Sequence, residues 1–191
     1  MQFKNQQAID ALAKLHAGGF PSAIVAGGCV RDEIFGKHVK DIDVFVSYED
    51  AYHYPDDPLV SFTSVLERSG VKEDWSTYMD IPDVDSVYSI QPLTEELPVQ
   101  IIVMKQGLLP LDRLSKLDWG FCQVAWDGKQ EVWMEGFSAD YTCDTITLIY
   151  CENQKEYDRS MVRYERLKQK YPEFKLVIPQ EYQKFISSEA A

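Results

Sequence analysis

Residues 27–46 read GGCVRDEIFGKHVKDIDVFV, and this stretch decides the fold. Gly27-Gly28 turns the chain, Cys29 to Phe35 follows as a short helix, and Gly36 ends it. Asp41 to Ser47 then reads DIDVFVS, in which Ile42, Val44 and Val46 alternate with Asp41, Asp43 and Phe45. A period of two marks a strand with one apolar face. Just upstream, Pro21-Ser22 leads into the apolar run Ala23–Ala26, a short strand. The order is therefore strand, glycine turn, helix, turn, strand.

Residues two apart on a strand point to the same face, so Asp41 and Asp43 share one. Their carboxylates repel unless a cation sits between them. Oxygen-only ligands favour Mg²⁺ or Mn²⁺. Such an ion bridges triphosphate oxygens and activates an attacking hydroxyl. Gly27 and Gly28 let the backbone approach a phosphate, and the helix that follows offers N–H groups. Arg31, one turn in, reaches a phosphate or ribose, and Asp32 orients Arg31 or bonds a backbone group. Alone, a D-x-D pair is what many half-exposed strands carry, and a Gly-Gly pair is usually only a turn. Together at this spacing they are far more specific.

Residues 25–46 resemble the signature of the DNA polymerase β-type nucleotidyltransferase superfamily. The resemblance is to the head domain of CCA-adding enzymes and bacterial poly(A) polymerases. That pattern is a strand, G-G-x-V-R-D, a few residues, G, then D-h-D-h with h apolar. Here it reads GGCVRD, EIFG, KHVK, DIDV, and each motif position matches. The resemblance implies an α+β nucleotidyltransferase fold, a mixed β-sheet of about four to six strands flanked by helices. It also implies an NTP substrate, with Asp41 and Asp43 as catalytic metal ligands and Gly27, Gly28, Arg31 and Asp32 at the nucleotide.

The likeness runs on more weakly over residues 22–170. The family's hairpin carries an acid on its second strand, where this chain reads PVQIIVMK and has Gln100. LDWGFCQVAWDG is the counterpart of an R-R-D-F-T-h-N-A-type segment, with Asp118 at the acid, a pattern like that of diverged, often viral, relatives. An amide is no charged metal ligand. Either two acids suffice, or Asp118 or Asp85 supplies a third, or the chain is a degenerate module that still binds nucleotide. Little follows residue 171 to match the family's tRNA-holding regions, so CCA addition to whole tRNA is not expected. The acceptor is an RNA or tRNA 3′ end, a protein or a small molecule. The resemblance to viral relatives implies a phage origin, and a phage-encoded chain is expected in the host cytoplasm.

Outward from this segment, Asn5 caps a helix to about Ala17 with an apolar stripe. Residues 48–58, rich in Pro, Asp and Tyr, read as a loop. Pro58–Ser69 reads as an amphipathic helix with Leu59, Phe62, Val65 and Leu66 inward. Asp85–Ile90 and Val99–Met104 read as an antiparallel hairpin. LDRLSKLD is a short helix or turn, with Arg113 and Lys116 near phosphate or on a charged surface turn. Phe121–Trp126 is apolar, and Ile146–Tyr150 is a last strand. Gln154–Tyr171 is a long polar helix, and Pro179–Ser187 another. Residues 1–150 are expected to form the head-like domain and 151–191 a helical extension packed on it. Arg159, Arg163 and Arg166 share one helix face, suited to a triphosphate or an RNA 3′ end, with Arg163 the nucleotide-binding candidate; a solvated face with Glu156 and Asp158 as partners is the other reading. Trp119, Trp126 and Trp133 read as core, while Trp75 and Tyr78 could stack on a base.

Composition limits the alternatives. The chain has 191 residues, 31 acids and 19 Lys or Arg, for a net charge of −12. Such a protein is no general nucleic-acid binder, although a local basic patch could hold a triphosphate. No apolar run is long enough for a membrane span or a secretory leader. The four cysteines form no C-x-x-C pair, which argues against zinc and for reduced thiols in the cytoplasm.

Overall fold

The computed structural model describes residues 3–53, 58–67, 71–73, 81–90 and 96–186. Trp75 and Tyr78 lie outside them, as does the first part of the hairpin loop. Two compact units emerge: residues 1–114 with 125–132, and residues 115–124 with 133–191.

The first unit is built on a mixed sheet. It begins with α1 (Gln6–Ala17), whose N-cap Asn5 accepts the Ala8 N–H. Then come β1 (Ile24–Ala26), α2 (Gly28–Ile34), β2 (Ile42–Val46), α3 (Tyr48–Ala51) and α4 (Pro58–Leu66). After these follow β3 (Val71–Glu73), β4 (Val84–Ile90), β5 (Val99–Met104) and α5 (Pro110–Ser115). β6 (Val124–Trp126) and β7 (Glu131–Trp133) complete the sheet in the order β3-β4-β5-β2-β1-β6-β7. β2 is thus central, antiparallel to β1 and parallel to β5.

That central place explains the composition of β2. Ile42, Val44 and Val46 are fully buried on one face, and Phe45 is buried on the other. A one-residue slip would drive Asp43 into the apolar face, so the register is strongly specified. α1 packs on α4 and β1, and α2 packs on β1 and β2. Phe20 stacks on Phe62 at 4.7 Å, and Phe62 on Tyr88 at 5.7 Å.

The second unit holds a 3-10 turn (Gly120–Cys122), α6 (Glu135–Cys143), β8 (Thr145–Thr147), α7 (Gln154–Lys170) and β9 (Lys175–Val177). A second 3-10 turn (Gln180–Tyr182) and α8 (Gln183–Ile186) follow. β8 and β9 pair in parallel. The core is aromatic: Phe121 meets Phe174 at 4.7 Å and Tyr171, edge to face, at 4.8 Å. Trp119 is fully buried, and its Nε1–H donates to the Ser160 carbonyl at 3.1 Å.

The fold is the expected α+β class with a mixed sheet flanked by helices, and the 84–104 hairpin is antiparallel as read. Among the described residues the sheet has seven strands, where about four to six were expected. The proline-rich stretch read as a loop holds α3, capped by Ser47 Oγ accepting the Asp50 N–H. The last strand read at 146–150 is β8, ending at Thr147. Arg113 is no surface residue: it is buried and lies 3.9 Å from Asp83. Trp119 and Trp126 are buried, whereas Trp133 is only partly so.

Candidate nucleotide site

The candidate site in the first unit is the passage from β1 through α2 to β2. Gly27, the N-cap of α2, has φ 68° and ψ −122°, a region closed to residues with a Cβ. The sharp turn at the end of β1 therefore needs glycine here. Gly27 also has no side chain with which to cap, so the first-turn amides of α2 receive none from it. Gly28 is different. Its φ is not positive, and an added Cβ would meet only Arg31 Nη2, at 3.7 Å. Nothing in the packing requires glycine at 28, and the glycine backbone lies beside a guanidinium.

Arg31 and Asp32 form a buried pair. Arg31 Nε and Nη2 donate to Asp32 Oδ1 at 2.8 and 2.6 Å, and the two residues are 7% and 5% exposed. The pairing holds the guanidinium beside the glycine turn. A buried charge is tolerable because it is paired and hydrogen-bonded.

Asp43 is half-buried on β2, with Oδ1 withdrawn from solvent, and Asp41 stands just before the strand. Cys29, on α2, is buried. Burial pushes its pKa far up, and the carboxylates of Asp43, Asp32 and Asp41 push it further. Four carboxylates, Asp32 and Glu33 of α2 with Asp41 and Asp43, raise the pKa of this one buried sulfur beyond what burial does.

Among the described residues no group of three or more His, Cys, Asp or Glu gathers as a metal cage. Two carboxylates fit a different arrangement. Mg²⁺ is commonly held by one or two carboxylates, with substrate phosphates and water completing its shell. Asp41, just before β2, and Asp43, on it, are two carboxylates in one short segment.

Gln100 is the register partner of Asp43 in the parallel β2–β5 pair, and Ser89 is the partner of Gln100 across β4–β5. Gln100 Nε2 donates to Ser89 Oγ at 3.5 Å. The row is amide and hydroxyl, and a neutral group stands next to Asp43.

Asp118 and Arg163 belong to the second unit and are bound to each other. Arg163 Nη1 donates to Asp118 Oδ1 at 2.6 Å, and Ser160 Oγ donates to Asp118 Oδ2 at 2.8 Å. The Asp118 carbonyl accepts the Ile149 N–H at 2.7 Å. These contacts fasten α7 to the segment that precedes β6. The sequence separation of 45 residues hides this pair from pattern reading.

Solved structures resemble this chain in fold. A CCA-adding enzyme complexed with ATP is 15% identical with a TM-score of 0.68, over 98% of this chain and 43% of that one. The Bacillus stearothermophilus CCA-adding enzyme in complex with CTP is 15% identical with a TM-score of 0.62, covering 97% and 43%. The Thermotoga maritima CCA-adding enzyme complexed with tRNA is 14% identical with a TM-score of 0.60, covering 98% and 45%. The chain spans less than half the length of these structures. No curated protein matches it by sequence. No helix among the described residues is long and apolar enough to cross a membrane. Residues 2–143 match the model of Gad2, the Gabija anti-defense 2 family protein, and since that is most of the sequence, the chain belongs to the Gabija anti-defense 2 family.

Proposed function

We propose that this protein is a divalent-metal-dependent nucleotidyltransferase that moves a nucleoside monophosphate from an NTP to a hydroxyl acceptor, in the service of countering Gabija defence. The observation that carries this reading is the passage from β1 to β2. A turn only glycine can make, a buried Arg31–Asp32 pair one turn into the helix that follows, and Asp41 and Asp43 at the start of the next strand occur together on a nucleotidyltransferase-type fold.

Asp41 and Asp43 would hold Mg²⁺ or Mn²⁺, which when bound supplies charge to the triphosphate and acidifies the acceptor hydroxyl. The backbone at Gly27 and Gly28 receives phosphate oxygens, and the open space at Gly28 lets them approach. Arg31, fixed by Asp32, offers a positive field beside that turn without reorganising during the reaction. The acceptor oxygen bonds to the α-phosphorus, the bond to the bridging oxygen breaks, and pyrophosphate leaves. Binding and alignment, rather than a covalent intermediate on the protein, lower the barrier. The acceptor is an RNA or tRNA 3′ end, a protein or a small molecule. The family's name directs the search to components of the defence itself.

Gln100 favours a second reading, in which the fold binds nucleotide without turning it over. A neutral amide beside Asp43 leaves fewer charged ligands than a third acid would provide.

Incubation with each α-³²P-labelled NTP, Mg²⁺ and mixed acceptors, including total tRNA, short RNA and purified Gabija proteins, separates the two. Label transfer by the wild type and not by Asp41→Ala/Asp43→Ala establishes the transferase. Metal-dependent NTP binding with no transfer to any acceptor favours the binding module. Absence of NTP binding defeats both.

A further inference from the structure

Helix α7 gathers cations on one face. Lys155, Arg159, Arg163, Arg166 and Lys170 are separated by four, four, three and four residues. At helical geometry they fall within a sector of about 80° and along about 22 Å of axis. Val162, 66% exposed, lies between Arg159 and Arg166 on the same side. This row sits on a chain whose net charge is −12.

A merely solvated helix face would interleave the two signs, since opposite charges four apart support a helix and like charges weaken it. No Asp or Glu stands four residues from any of the five, while at spacing three Glu152 and Asp158 flank Lys155, Glu156 faces Arg159 and Glu173 faces Lys170, which leaves Arg163 and Arg166 with no acid at either spacing. Lys155 and Arg159, Arg159 and Arg163, and Arg166 and Lys170 are like-charged neighbours at that spacing. Two of the acids on this helix also accept other hydrogen bonds. Glu156 Oε2 accepts the Glu152 N–H at 2.9 Å, and Asp158 Oδ1 accepts from Gln154 Nε2 at 2.7 Å. Arg163 is tied to Asp118, while Arg159 and Arg166 make no ion pair among the described residues.

We propose that this face of α7 binds the phosphate backbone of a single-stranded nucleic acid. A straight row of cations on one helix tracks the charges of one strand. The exposed Val162 offers an apolar contact for a base or ribose between two phosphate-binding arginines. An acidic chain repels a polyanion elsewhere on its surface, so binding is confined to this row. The inference is independent of the nucleotidyltransferase reading, because it needs neither NTP nor metal.

The test is fluorescence anisotropy of labelled oligo(U) RNA and oligo(dT) DNA, without NTP or divalent ions, over a range of NaCl. Binding of either strand should weaken with salt by about 0.7 in log K per log salt for each phosphate neutralised, hence a slope of about −2 for three. Arg159→Gln/Arg166→Gln should cut low-salt affinity about tenfold or more and flatten the slope, whereas Arg159→Lys/Arg166→Lys should keep both. Gln is a good helix former, and far-UV circular dichroism checks that the helix stays. No binding at low salt, or undiminished binding by the Gln variant, overturns the proposal. So does a poly-glutamate peptide that competes as well as the oligonucleotides, which would make the partner an acidic protein. None of these results touches the NTP assay.

Discussion

Gln100 stands directly beside Asp43, its register partner across the parallel β2–β5 pair, and its amide turns to Ser89 on the far side. Exchanging that amide for a carboxylate adds an anionic oxygen next to Asp43 with little change in volume. Gln100→Glu is therefore expected to tighten Mn²⁺ binding about tenfold, the scale of one added charge-assisted contact. Electron paramagnetic resonance of free Mn²⁺ reads this directly. Unchanged affinity would mean that the Asp43 face of the sheet does not receive the ion.

The two glycines of the turn should separate by phenotype. Gly27→Ala forces a side chain into φ 68°, ψ −122°, at a cost of about 1–3 kcal/mol, and should lower the melting temperature. Gly28→Ala places a methyl 3.7 Å from Arg31 Nη2, an ordinary contact, so its melting temperature should stay near that of the wild type. Its NTP affinity should nevertheless fall, because the methyl occupies the approach to the backbone. Calorimetric titration with a non-hydrolysable NTP beside thermal melts resolves the pair. A Gly28→Ala protein that binds NTP normally would remove the turn from the nucleotide site.

The glycine turn, α2 and β2 were legible because their signals are local. Gly27, the helix and the alternation through Val46 are all read within one short window. The 84–104 hairpin was legible for the same reason, its period-two runs being long. β3, β7 and β9 were not, since three residues carry too little periodicity to separate a strand from a loop, and pairing partners make them strands. α6 begins at Glu135 with no side-chain cap on Met134 and a weak apolar stripe, so nothing local announces it. Gln100 was visible as a departure, but its place beside Asp43 depends on register. The Asp118–Arg163 bond joins residues whose types had suggested separate roles at the nucleotide.

Cys29 ties the site to alkaline stability. Burial, then Asp43, Asp32 and Asp41, hold its folded pKa far above the ordinary thiol value. Unfolding restores an ordinary pKa of about 8.5. The sign follows: the unfolded chain loses this proton first, so the stabilisation is complete below about pH 8.5 and declines as pH rises above it. The limiting slope is about 1.4 kcal/mol per pH unit for one proton. Cys151, also raised by burial, adds a second contribution of the same sign. Denaturant unfolding between pH 8 and 9.5 should show the decline, and Cys29→Ala should flatten it. A thiol reagent at pH 8 should label exposed Cys143 and leave Cys29 until the chain unfolds. Rapid native labelling of Cys29 would contradict the buried, anionic setting.

Asp140 organises the second unit in a way that a mutant cycle can isolate. Fully buried, it accepts from Thr145 Oγ1 at 2.7 Å, from Thr147 Oγ1 at 2.5 Å and from the Thr147 N–H at 3.0 Å. One carboxylate thus joins α6 to β8. Asp140→Ala leaves those donors without their acceptor, and about 2–4 kcal/mol of stability should be lost. Gly120 approaches the same carboxylate: a Cβ there would lie 2.8 Å from Asp140 Oδ2 and 3.0 Å from the Gly136 carbonyl oxygen. Gly120→Ala should therefore cost a similar amount, by crowding rather than by loss of a bond. Removing the carboxylate relieves half of that crowding, so the double variant should be less destabilised than the sum of the two singles by about 1 kcal/mol. Urea unfolding of the four proteins measures the coupling. Strict additivity would mean that Gly120 is needed only for the Gly136 backbone, and that the Asp140 carboxylate can move aside freely.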